Sequence, residues 1–89
     1  MISNNNAKIK TNIVNFIIQE FLYDKPEIKM NDNLNLIEQG ILDSMEIFRL
    51  VQFIETEAKI SFEPEEMVQT NLRSVNDILQ FIEKKQTNQ

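Results

Sequence analysis

Eighty-nine residues, 42% of them apolar, make one small domain with a modest core. The chain has no histidine and no cysteine, which removes what most triads, most near-neutral general bases, thiolate metal sites and disulfides require. No catalytic residue, no metal site and no self-contained enzyme is therefore expected, and a formal charge of −5 with a pI near 4.6 repels phosphate backbones, disfavouring nucleic acid and favouring protein partners with basic patches.

The first stretch, "MISNNNAKIK", is polar and lacks the apolar segment of a signal peptide. No apolar run approaches the length of a membrane span, so a cytoplasmic protein without membrane contact is expected. Residues 1–6 read as a flexible tail. From about residue 7 to 23, Ile9, Ile13, Ile17 and Phe21 recur every fourth residue, with Val14 and Ile18 beside them, which predicts a helix with a wide apolar face. Asp24-Lys25-Pro26 stops it, because proline restricts the residue before it and cannot continue the helix. Residues 26 to 42 form a long connection carrying Leu34, Leu36, Ile37, Ile41 and Leu42. A loop of this length in so small a domain is functional or is pinned by its own apolar residues.

The second helix is expected to begin at Asp43 or Ser44 and to run to about Glu57 or Ala58. Asp43 can cap it, and Glu46 can reach back as in a capping box. Pro64 suits the first turn of a short third helix, "PEEMV", and "TNLRS" reads as a turn. Ser74 caps a last helix with Val75, Ile78, Leu79 and Ile82 as its apolar stripe. Residues 85–89 read as a second flexible tail. With no strands and no repeats, the expectation is an all-α four-helix bundle over residues 7–84. It has three main helices, a short third one, and a long loop between helices 1 and 2.

Within "GILDSMEIF", Gly40 to Phe48, the only glycine of the chain precedes a serine at a helix start. An Asp-Ser pair by itself indicates no more than a cap. The helix that follows adds to it. At about 100° per residue, Ile47, Leu50, Val51, Ile54 and Ala58 share one side and form the core stripe. Met45, Phe48, Arg49 and Gln52 fall on another side, and exposed apolar residues of this kind mark partner contacts. The competing reading buries Phe48 beneath the long loop. Phe53 lies on neither stripe. Ser44 itself sits in the first turn, where free N–H groups and the helix dipole favour an added phosphate. Gly40 is expected to permit the tight approach that presents it.

These features together resemble an acyl or peptidyl carrier protein. "GILDSMEIFRLVQFIETEAKISFEPEEM", an apolar helix before it and "NLRSVNDILQFIEK" after it carry the resemblance, which covers roughly residues 7 to 84. The family implies a four-helix bundle whose serine, in an Asp-Ser pair, receives a 4′-phosphopantetheine arm from coenzyme A. A phosphopantetheinyl transferase adds the arm, and its thiol carries an acyl or aminoacyl thioester between enzymes. Carried over, Ser44 is the covalent attachment residue and Asp43 its cofactor-binding neighbour. Ile41, Leu42, Met45, Phe48, Arg49 and Gln52 are the candidate partner-binding residues. The thiol then belongs to the cofactor, and the hard chemistry to the partner enzymes.

The departures direct the choice within the family. Fatty-acid carriers usually have one residue between the glycine and the aspartate; here Ile41 and Leu42 make two. Gly40-Ile41-Leu42-Asp43-Ser44-Met45 is closer to D-alanyl carriers and to discrete amino-acid carriers. Arg49 stands where the family often has an acidic residue, and Ala58-Lys59 replaces a common Phe-Gly. The D-alanyl type tends to carry a tryptophan that is missing here. The favoured reading is a monomeric, discrete aminoacyl or peptidyl carrier of a secondary-metabolite pathway, nonribosomal peptide or polyketide. Its expected partners are a phosphopantetheinyl transferase, an adenylation (loading) enzyme and downstream tailoring or condensing enzymes. A D-alanyl carrier of teichoic acid modification stands second, a fatty-acid carrier third, and a non-carrier helical adaptor using Met45 and Phe48 last.

Overall fold

The computed structural model describes residues 2–87, and it is all-helical, with no strand among the described residues. Helix α1 spans Ile2–Phe21, α2 Ser44–Ala58, α3 Gln69–Leu72 and α4 Val75–Thr87, with a 3₁₀ turn at Pro64–Glu66 between α2 and α3. No helix among the described residues is long and apolar enough to cross a membrane.

The periodic apolar positions make the core. Ile9, Ile13, Ile17 and Phe21 are buried along α1, as are Leu50, Val51, Ile54 and Ala58 along α2, and Val75, Ile78, Phe81 and Ile82 along α4. Ile47, expected in the α2 stripe, is half-buried against the same cluster. Helix α1 packs on both α2 and α4, and α3 packs on α4. Burying each of these Val, Leu, Ile and Phe side chains stabilises the fold by roughly 1.5–3 kcal/mol, the main term that orders a chain of this size.

The long connection is pinned by its own apolar residues, as expected. Leu36 is fully buried, and Ile28, Met30, Leu34 and Ile37 pack against the core from the side. Its backbone is also fastened to distant elements. The Leu36 N–H donates to the Arg73 carbonyl at 2.7 Å, and the Asn76 N–H donates to the Asp32 carbonyl at 3.0 Å. Lys10 of α1 pairs with Asp32 at 2.6 Å.

Several boundaries differ from the sequence reading. Helix α1 begins at Ile2, within the stretch assigned to a tail, and ends at Phe21, ahead of the Asp24-Lys25-Pro26 stop. Of the expected tails, Met1, Asn88 and Gln89 lie outside the described residues, and α4 runs through residues 85–87. The expected "PEEMV" helix is only a 3₁₀ turn. Asn71 Nδ2 donates to the Glu66 carbonyl at 2.8 Å, which satisfies that carbonyl without further helix, and Met67 leaves helical geometry at ψ 57. The short α-helix forms instead at Gln69–Leu72, where a turn was expected, and buries Leu72 against the core.

Candidate functional site

Asp43 and Glu46 build the start of α2. The Glu46 N–H donates to Asp43 Oδ1 at 3.0 Å, and the Asp43 N–H donates to Glu46 Oε1 at 3.1 Å, so the capping box read from the sequence is complete. Asp43 is extended at φ −100 and ψ −172, which turns the chain from loop into helix and makes Ser44 the first helical residue. The N–H groups of Ser44 and Met45 have no carbonyl within the helix to donate to. Ser44 is exposed. Its hydroxyl thus stands on a rigid helix start beside unpaired donors, at the positive end of the α2 dipole.

Gly40 prepares this geometry in a different way from the one expected. Its φ is +73, the left-handed region that favours glycine, yet nothing lies within 4 Å of where a Cβ would be. The glycine supplies a backbone conformation and not a close approach. It closes a turn in which the Gly40 N–H donates to the Ile37 carbonyl at 3.0 Å. The next two residues drop into the core: Ile41 is 1% and Leu42 4% exposed. These two were expected among the partner-binding residues. Buried as they are, they anchor the loop end beneath Ser44 and present no side chain to a partner.

The other four expected contact residues lie together on the outer side of α2. Met45 is 76% and Phe48 56% exposed, so Phe48 does not pack beneath the loop. Arg49 and Gln52 are exposed on the same helix. Arg49 is nevertheless engaged within the chain. It pairs with Glu20 of α1, and its Cζ lies 5.4 Å from the centroid of the Phe21 ring. Sequence reasoning gave no sign of Glu20, because the two residues are distant in the chain and meet only when α1 and α2 pack.

Phe53, on neither stripe of α2, stacks on Phe16 of α1 with ring centroids 4.1 Å apart and planes 11° from parallel. The acidic residues are also more occupied than a charge count implies. Glu55 Oε2 accepts from the Phe62 N–H at 2.9 Å, and Glu57 Oε1 accepts from Asn12 Nδ2 at 2.6 Å. Glu66 Oε1 accepts from the Glu63 N–H at 2.8 Å and from Lys85 Nζ at 2.9 Å. These bonds, the backbone one first, hold the Glu66 carboxyl below its ordinary value.

No protein-family model and no curated protein matches this chain.

Proposed function

We propose that the chain is a carrier protein, holding an aminoacyl or peptidyl group as a thioester on a 4′-phosphopantetheine arm attached at Ser44. The observation that carries this reading is an exposed serine at the first position of a capped helix, directly beside the exposed Met45 and Phe48. The residues fit the group. An arm joined through a phosphodiester brings negative charge to the first turn of α2, where the unpaired N–H groups and the dipole favour it. In the attachment step the Ser44 Oγ forms a new bond to phosphorus and gives up its proton. The diphosphate bond of coenzyme A breaks, and its nucleotide half leaves. The arm supplies the thiol that this cysteine-free chain lacks.

In this reading Asp43 fixes the helix start that holds Ser44 out, and Met45 and Phe48 form the apolar contact for the transferase, the loading enzyme and the enzymes that receive the cargo. The amino-acid class rests on Gly40-Ile41-Leu42-Asp43-Ser44-Met45 and on Arg49, which resemble amino-acid carriers more than fatty-acid ones. The second reading, a helical adaptor with no arm, draws on the same exposed Met45 and Phe48.

Intact mass after incubation with coenzyme A and a broad-specificity phosphopantetheinyl transferase separates the two. The carrier gains one arm and the Ser44→Ala variant gains none. A wild-type chain that stays unmodified while a control carrier is converted leaves the adaptor. Loading of the modified chain by adenylation enzymes over an amino-acid panel, against long acyl groups, then tests the cargo class.

A further inference from the structure

Phe62 and Leu72 are buried, at 7% and 1% exposed, yet none of residues 63–71 between them is buried. This stretch holds the 3₁₀ turn Pro64–Glu66 and all of α3 except Leu72. A segment that places no side chain in the core has no apolar burial to keep it closed. Its order then rests on polar bonds, which marks it for local opening.

Those bonds converge on Glu66. Its Oε1 accepts from the Glu63 N–H at 2.8 Å and from Lys85 Nζ at 2.9 Å, and its carbonyl accepts from Asn71 Nδ2 at 2.8 Å. Its own N–H donates to the Glu63 carbonyl at 2.8 Å. One residue thus ties the turn to itself, to α3 and to α4. Among the described residues, the Lys85 bond is the only hydrogen bond from residues 63–71 to another helix. The pair is also the most enclosed of the ion pairs among those residues, with the Glu66 and Lys85 side chains 27% and 22% exposed, so water and salt screen it less than the others. The Lys85 ammonium lies at the same time 5.8 Å from the centroid of the Phe81 ring, and Phe81 stacks on Phe62 with centroids 4.5 Å apart.

The two ends of the stretch are fixed independently of Glu66. The Phe62 N–H donates to Glu55 Oε2 at 2.9 Å, and the carbonyl of Arg73, the residue after Leu72, accepts from the Leu36 N–H at 2.7 Å. We propose that residues 63–71 form a strap that opens as one unit between its anchors, Phe62 and Leu72, while the bundle stays folded, and that the Glu66–Lys85 pair is its latch. Opening unwinds the 3₁₀ turn and α3 together, because Asn71 joins them through the Glu66 carbonyl. It also frees Lys85 and uncovers the edge of the Phe62–Phe81 stack. The device lies apart from Ser44 and does not depend on the arm.

The test is native-state hydrogen exchange of the isotope-labelled 89-residue chain, read residue by residue in magnetic resonance spectra at urea concentrations below the unfolding transition. The reporting amides are those of Glu66, Met67 and Asn71, which donate to the Glu63, Pro64 and Val68 carbonyls. Ile54 and Ile78, fully buried in α2 and α4, report global unfolding. The three strap amides share one opening equilibrium with a shallow urea dependence, at least about a hundredfold more open than that of Ile54 and Ile78. Lys85→Met, which keeps the stem over Phe81 and removes the charge, speeds all three by about fivefold or more and leaves Ile54 and Ile78 within about twofold. Lys84→Met, the neighbouring lysine without a hydrogen bond to the strap, changes none of them by more than about twofold. Strap amides that open independently of one another, that match the urea dependence of Ile54 and Ile78, or that do not respond to Lys85→Met overturn the proposal. An acceleration in Lys85→Met that is equal at all five amides overturns it as well, since the pair would then serve the whole fold.

Discussion

Arg49 of α2 donates to the Glu20 carboxylate of α1 while its guanidinium lies over the ring of Phe21, the residue after Glu20. The only basic residue of α2 is thereby tied back to the neighbouring helix and fixed beside Phe48. Because both partners are half exposed, the pair contributes little to stability on its own. A double-mutant cycle of Glu20→Gln with Arg49→Met is expected to give a coupling of about 0.2–1 kcal/mol in chemical denaturation, shrinking as salt is added. A coupling of zero at low salt would show that the pair does not form in solution.

Asp43 and not Ser44 carries the cap of α2, and the two positions separate accordingly. Asp43→Ala is expected to cost roughly 0.5–2 kcal/mol, and Asp43→Asn much less. Ser44→Ala should stay within about 0.5 kcal/mol of wild type, since the Ser44 side chain is exposed and makes no capping bond. If the chain is the proposed carrier, modification by a transferase should be lost completely in Ser44→Ala. If Asp43→Asn is modified at the wild-type rate, the charge of Asp43 plays no part in recognition.

Met45 and Phe48 offer a test of the exposed face. Met45→Glu and Phe48→Lys are expected to leave the melting temperature nearly unchanged, because neither side chain fills the core. Under the proposed carrier function, both should slow arm attachment and cargo transfer by tenfold or more, on the order of 1.4 kcal/mol. A large drop in melting temperature with normal transfer would instead place these side chains in a packing role.

Two residues with positive φ invite opposite substitutions. Gly40, at φ 73, faces open space, so Gly40→Ala meets no clash and should lose about 1 kcal/mol from backbone strain alone. Lys59, at φ 56, takes a glycine more readily than it tolerates a lysine, and Lys59→Gly should gain about 1 kcal/mol. Denaturant midpoints at neutral pH measure both, and a loss in Lys59→Gly would show that its side chain contributes more than the strain costs.

Glu66 makes stability depend on pH in the acid range. Its carboxyl is held below the ordinary value by the Glu63 N–H and by Lys85. A depressed folded value means that its contribution is fully present above the unfolded glutamate pKa, about 4.3, and is lost as pH falls through the lower folded value. Glu66→Gln should therefore flatten the fall in stability below about pH 4.3, and Lys85→Met should flatten it in part. Unfolding curves collected from pH 7 downward decide this: identical slopes in wild type and Glu66→Gln would remove the residue from the acid transition.

What was legible in the sequence was local. The spacing of Ile9, Ile13, Ile17 and Phe21, the Asp43–Glu46 box and the Ser74 cap concern residues within a few positions of one another, and the structure keeps all of them; Ser74 Oγ accepts from the Asp77 N–H at 3.2 Å. Helix geometry alone put Met45 and Phe48 off the core stripe, but it left open whether Phe48 packed beneath the long loop; the structure exposes both. What was hidden depends on partners far along the chain. Glu20 finds Arg49, and Phe16 finds Phe53, only through the packing of α1 on α2. Ile41 and Leu42 lie in a segment without periodicity, so nothing local distinguished a buried anchor from a contact residue. The Gln69–Leu72 helix exists because Leu72 reaches the core, a pull that intrinsic propensity does not record.

The backbone of Leu36 is bonded in both directions: its N–H donates to the Arg73 carbonyl, and its own carbonyl accepts from both the Ile41 and Leu42 N–H groups, at 2.9 and 3.0 Å. Deuterium should therefore enter the Leu36, Ile41 and Leu42 amides as slowly as it enters the middle of α4, although all three lie outside any helix. The Leu36–Arg73 bond joins segments remote in the chain, so it is expected to form late in folding, after the loop-closure cost has been met. The segment leading into Ser44 should then be secured late and, once secured, open with a free energy close to that of global unfolding.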